Sequence, residues 1–133
     1  MLITMFMMVL LTFIVGIITV TVRIKNVKKG KMSRKYFRLM QGDDLPDLVT
    51  KTTRNFNNQF ELPVLFYVVC TLFISLNIRS EFALYTAIVF VISRYLHAVI
   101  HISYNNVMHR MISFFIGFIC ILAMWVNLLI IQS

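Results

Sequence analysis

Four long apolar blocks decide what this chain can fold into: Leu2 to Val22, Leu62 to Ile78, Phe82 to about Ser103, and Met111 to Ile131. Each approaches the roughly 20 residues that cross a bilayer core of about 30 Å. Backbone N–H and C=O groups find no water in lipid, so segments of this kind cross as helices. The expectation is an all-α integral membrane protein, a bundle of four transmembrane helices forming one domain of 133 residues. Composition agrees, with 59% hydrophobic and 14% charged residues, where soluble domains carry about a quarter charged. A soluble enzyme and a disordered chain are both excluded. Cys70 and Cys120 each fall inside an apolar block, where a thiol packs as a small hydrophobe and no disulfide framework is expected. The first block lacks the basic start and small-residue cleavage site of a signal peptide, so it reads as a retained helix.

The formal charge is +8, and ten of the 13 Lys and Arg residues fall between Arg23 and Arg54. A single basic connection, rather than a basic surface, argues against nucleic-acid binding. The connection 23–47 carries Arg23, Lys25, Lys28, Lys29, Lys31, Arg34, Lys35 and Arg38, whereas the second connection offers only Arg79 beside Glu81. The positive-inside rule then makes the first and third connections cytoplasmic and puts both termini on the non-cytoplasmic side. Gly30 and the run from Gln41 to Asp47 read as turns, with Asp47 as N-cap of a helix that continues from about residue 48 to 78. Pro63 should kink that helix near the membrane boundary, because it removes one backbone hydrogen bond.

Ionisable residues in spanning helices are costly and therefore informative. Arg54, Asn58 and Glu61 stand at i, i+4 and i+7, on one helical face. The strip is either a preorganised polar site or a solvated, salt-bridged helix end. Arg94, His97 and His101 form a second stripe, continued by Asn105. Arg94 falls within the bilayer and needs a partner on another helix; Glu61 is the only carboxylate near its level, which predicts a Glu61–Arg94 pair. His97 and His101 have zinc-ligand spacing, but no Cys lies at that level and no Glu stands between them as the metalloprotease motif requires, so no metal is assigned. Hydrogen-bonding histidines lining a polar pocket are the simpler reading. Arg110 follows the turn-forming Tyr104-Asn105-Asn106 at a helix start, where guanidinium and free backbone amides suit an anion; the alternative is a snorkelling anchor. Phe114, Phe115, Phe118 and Trp125 read as lipid-facing or packing surface.

The run Arg54-Asn55-Phe56-Asn57-Asn58-Gln59-Phe60-Glu61-Leu62-Pro63 resembles the signature of the MAPEG family, membrane-associated proteins in eicosanoid and glutathione metabolism. The match is at Arg54, Asn58, Glu61 and Pro63. Arg94-Tyr95-Leu96-His97-Ala98-Val99-Ile100-His101, followed by Arg110, is similar to the same family's third- and fourth-helix motifs, and the resemblance covers nearly the whole chain. It implies a homotrimer with glutathione bound between subunits on the cytoplasmic side, held by Arg54, Asn58, Glu61, His97, His101 and Arg23. Arg110 is similar to the residue that activates the thiolate. His101 stands where eicosanoid-forming members usually have Tyr, which groups the chain with bacterial-type members and implies a bacterial inner membrane.

The implied activity is that of a glutathione transferase or peroxidase acting on a lipophilic electrophile that enters from the lipid bilayer. Two other classes suit a chain of this size. A small multidrug or proton-coupled transporter would need an acid deep in a span, and the first helix has no charge at all. A non-catalytic membrane scaffold would keep the binding pocket without the chemistry.

Overall fold

A computed structural model of the chain describes residues 1–31 and 45–133. Arg34, Lys35, Arg38 and the turn expected at Gln41 to Asp44 lie outside the described residues. The elements are α1 (Leu2–Lys28), α2 (Asp47–Asn57), a 3-10 turn (Asn58–Phe60), α3 (Leu62–Ser75), α4 (Glu81–Ile102) and α5 (Val107–Gln132). Four helical stretches are long and apolar enough to cross a membrane, with α2 and α3 together making the second.

The first helix continues six residues beyond the expected end at Val22, through Arg23, Lys25 and Lys28. Its 27 residues span about 40 Å at about 1.5 Å per residue, more than the bilayer core, so the basic last turn projects from it. Cations there also complement the negative end of the helix dipole. This is the basic end of the molecule.

The second span is not the unbroken helix expected over 48–78. It stops at Asn57, passes through the 3-10 turn, and restarts at Leu62 after Glu61, whose backbone (φ −97°, ψ −102°) is not helical. Pro63 sits in the first turn of α3, where its missing N–H has no intrahelical role, so it starts a new helix instead of kinking an old one. Nor is Asp47 an N-cap: Pro46 takes that position, and Asp47 is the first helical residue, its carboxylate still favourably placed in the first turn. The later helices have side-chain caps. Ser80 Oγ accepts from Ala83 N–H at 3.1 Å, and Asn106 Oδ1 accepts from His109 N–H at 3.2 Å. Asn77 (φ 54°) and Asn105 (φ 52°) make the left-handed turn positions between spans.

The core runs along the bundle axis. Met8, Leu11 and Val15 of α1, Phe66, Val69 and Phe73 of α3, Ala87 and Phe90 of α4, and Met124 and Leu128 of α5 are all buried. Phe66 and Phe90 stack with centroids 4.3 Å apart. The outward faces of α1, α3, α4 and α5 are largely apolar, a surface that would drive a soluble protein to aggregate but that lipid covers. Between α4 and α5 the contact is close because Gly117 has no side chain: a Cβ there would stand 3.2 Å from Ser93 Oγ and 3.5 Å from the Phe90 ring. Gly117→Leu is therefore expected to separate α4 from α5 and destabilise the protein by about 1–3 kcal/mol, read as a lowered unfolding temperature in detergent.

Candidate functional site

At the basic end, α2 is fastened to its neighbours chiefly by hydrogen bonds. Thr52, Asn55 and Gln59 are buried, with Val49 the buried apolar residue of α2. The Thr19 hydroxyl of α1 reaches Thr52 O at 3.0 Å as well as its own helix at Val15 O, 2.8 Å. Asn55 Nδ2 donates to Ala98 O of α4 at 3.2 Å, and Gln59 Nε2 to Asn55 O at 3.2 Å. Phe56 fits against Gly16, where a Cβ would approach its ring to 3.2 Å. Sequence reasoning passed over this face, although Thr52, Asn55 and Gln59, at i, i+3 and i+7, share one helical face as the strip it singled out does.

Because that face turns inward, the strip of Arg54, Asn58 and Glu61 turns out. Arg54 and Glu61 are exposed and Asn58 is half-buried. Arg94 is the opposite case, with no exposed surface. One of its terminal nitrogens donates to Asn58 O at 3.0 Å, its Cζ lies 5.8 Å from the Phe114 ring centroid, and its other two nitrogens have no partner among the described residues. The expected Glu61–Arg94 hydrogen-bonded pair is thus not made. The bend at Glu61 carries the carboxylate to the outside, while the helix end it creates presents carbonyl oxygens that no longer receive α-helical partners. Arg94 takes one of those.

Asn58 connects this break to the rest of the site. One end of its side-chain amide stands 3.3 Å from both Glu61 carboxylate oxygens. The other end of the amide stands 3.4 Å from His97 Nε2. His97 is buried, and its Nδ1 lies 3.1 Å from Arg110 O and 3.3 Å from Ser113 Oγ. A carbonyl only accepts, so Nδ1 carries the proton and donates to it. His97 therefore fixes the start of α5, and with it Arg110.

A pocket of about 390 Å³ opens at this end, lined by Asp47, Thr50, Lys51 and Arg54 of α2, His101 of α4, Asn105 of the turn, and Arg110 of α5. Its size falls in the range of ligand pockets, about 300–1,000 Å³. Arg110 donates to Asn105 Oδ1 at 2.9 Å, and its Nε has no partner among the described residues. His101 is 1% exposed, and neither ring nitrogen has a partner there. Three cationic side chains facing one carboxylate make the pocket an anion site with a single acidic corner.

The structure brings together Arg54, His101 and Arg110 from the expected set. It does not bring in Arg23, which donates to Thr53 Oγ1 at 2.9 Å, nor His97, which stands behind Arg110. Asn58 and Glu61 lie farther along the outer strip. Asp47, Thr50 and Lys51 are additions, and Lys51 was signalled by standing one helical turn before Arg54. His97 and His101 meet edge to face, centroids 5.7 Å apart, and no group of three metal-ligating side chains occurs among the described residues.

Compared with known proteins, the chain matches the model of the MAPEG family over residues 1–130. No curated protein matches it.

If Arg94 answers to a carbonyl and not to Glu61, a double-mutant cycle should show little coupling. Glu61→Gln is expected to change unfolding stability by less than about 0.5 kcal/mol, as for a surface substitution. Arg94→Ala and Glu61→Gln, which share only Asn58 between them, should couple by no more than about 1 kcal/mol, below the about 3–5 kcal/mol of a broken buried ion pair. A coupling clearly above that would restore the ion pair.

Proposed function

The chain belongs to the MAPEG family of membrane proteins, and on that premise we propose that the pocket between α2, α4 and α5 holds glutathione. The protein would then act as a glutathione transferase or peroxidase on lipophilic electrophiles taken from the bilayer. The observation that carries this reading is the convergence of Lys51, Arg54 and Arg110 with Asp47 in one pocket. Glutathione bears two carboxylates and one ammonium, so each of its charges finds a complementary side chain through charge-assisted hydrogen bonds. Arg110 Nε and the ring nitrogens of His101 are buried polar atoms without partners among the described residues, and a polar ligand would satisfy them.

Roles follow from position. Arg54 and Lys51 hold carboxylates and Asp47 holds the ammonium. Arg110, at the first turn of α5, combines its charge with that helix's free N–H groups and faces the sulfur. His97 orients Arg110 through the backbone, Arg23 braces α2 through Thr53, and Asn58 with Glu61 extends the polar surface outward. Glutathione supplies a thiol of pKa about 8.5 whose thiolate is the nucleophile; the cations of the pocket favour the charged form.

The same proposal includes the homotrimer. A strip of Arg54, Asn58 and Glu61 facing outward from a spanning helix is costly against lipid, and a second copy of the chain covers it at less cost. The bacterial inner membrane, with both termini on the non-cytoplasmic side, completes the reading on the charge asymmetry of the connections.

Glutathione should raise the unfolding temperature of the detergent-purified protein, with stabilisation of about 2.7 kcal/mol at a hundredfold excess over Kd. No shift at millimolar glutathione would remove the proposal. Within it, Arg54→Ala should weaken glutathione binding by about 10- to 100-fold, the worth of a hydrogen bond to a charged group, with a smaller effect on turnover. Arg110→Ala should lower the rate of conjugation to an aryl halide more than it weakens binding, since its contact is made chiefly with the reacting atom.

A further inference from the structure

We propose that His101 is the base that receives the thiol proton of glutathione, an inference that rests on the glutathione reading above. The evidence is the contrast between two histidines one turn apart on α4. His97 meets a polar neighbour at each ring nitrogen: Nδ1 donates to Arg110 O, with Ser113 Oγ 3.3 Å away, and Nε2 lies 3.4 Å from the Asn58 amide. That is how a histidine kept for packing is satisfied. His101 is at least as buried, yet both of its nitrogens lack a partner among the described residues, and its ring borders the pocket that also holds Arg110. Leaving a buried polar atom unpaired costs about 1–3 kcal/mol, a poor use of a position that Leu or Phe would fill. A neutral imidazole always has one N–H and one lone pair to satisfy, and in the proposal glutathione seated against this wall of the pocket supplies the partner.

The charges around the ring decide when it accepts. Across the pocket stand Lys51, Arg54 and Asp47 of α2, beside it Arg110 of α5, and on its own helix Arg94 and His97. Among so many cations, a proton taken from bulk water would add one more positive charge. A proton taken from a thiol in the same pocket leaves the net charge unchanged, because the thiolate appears as the imidazolium forms. The cations that oppose the first event leave the second unopposed, and Arg110 favours the anion directly. In the step, the S–H bond breaks with its electron pair left on sulfur, and the proton bonds to the ring nitrogen's lone pair. With an organic halide as co-reactant, sulfur forms the S–C bond, halide departs with the C–X pair, and the imidazolium returns its proton to water.

The test counts protons as well as turnover. Glutathione is titrated into the detergent-purified protein by calorimetry in buffers of different ionisation enthalpy, while ultraviolet absorbance follows the thiolate. In the native protein, the thiolate is expected to form without a matching release of protons to buffer, because His101 keeps them. In His101→Gln, which keeps a hydrogen-bonding side chain but accepts no proton, affinity should fall by less than the thiolate yield does. Thiolate formed near neutral pH should fall about tenfold or more, equivalent to at least one unit in thiol pKa, and any thiolate left should release its proton stoichiometrically. Conjugation of an aryl halide should slow by about 100-fold or more. His101→Asn, which also keeps an amide in place of the ring, is the second variant if His101→Gln does not assemble, with the same expectations. Unchanged thiolate yield and unchanged proton release in the variant that assembles would overturn the role of His101 while glutathione binding stands. Absence of glutathione binding to the native protein would instead overturn the reading on which it rests.

Discussion

A guanidinium with no exposed surface, held by a carbonyl at the break in the second span, sets the geometry of everything around it. Arg94 cannot be left bare in a bilayer, and the oxygen it finds on Asn58 is offered where the helix stops. The stop has a covalent cause, since Pro63 has no N–H with which to continue an α-helical ladder. The resulting bend turns Glu61 outward and leaves Asn58 between that carboxylate and His97. His97 then reaches the backbone of Arg110. The polar end of the bundle is thus one connected set of contacts running from the outer strip to the start of α5.

A second constraint works from the other side of α2. In water, Thr52, Asn55 and Gln59 would be an ordinary solvated face; here the face is buried against α1 and α4, and the hydroxyls and amides are met mostly by backbone oxygens. Backbone carbonyls accept a second hydrogen bond without giving up the helical one, so polar docking costs neither neighbour its helix. It also fixes rotation. Once Asn55 meets Ala98, Arg54 has to point away from the core and toward the pocket that it shares with Arg110 and His101.

Much of this was legible in the sequence, for reasons that differ by residue. The four spans follow from block length and from the demands of lipid on the backbone, and the common face of Arg54, Asn58 and Glu61 follows from helical geometry alone. The cost of Arg94 was equally plain. Its partner was not, because matching charges by depth considers side chains only, and the acceptor proved to be a main-chain oxygen exposed by a break that Pro63 signalled merely as a kink. The inward face of α2 escaped notice because residue type marks Thr, Asn and Gln as surface. Its i, i+3, i+7 spacing, helical like the i, i+4, i+7 of the strip, was the available sign. His97 and His101 looked equivalent in one stripe, and only the positions of Asn58, Arg110 and Ser113 separate a satisfied ring from an unsatisfied one.

The divided second span has a practical consequence. Its α3 half is held by apolar contacts such as the Phe66 and Phe90 stack, which are indifferent to a little water. Its α2 half is held by hydrogen bonds to Thr19 and Arg23 of α1 and Ala98 of α4, for which water competes directly. Extraction into a small, wet micelle therefore attacks the two halves unequally: the transmembrane core survives and the segment bearing Arg54 and Lys51 loosens first. The same preparation would still look helical and folded by circular dichroism while its pocket had lost one wall, so the choice of amphiphile belongs among the variables of any ligand measurement on this protein.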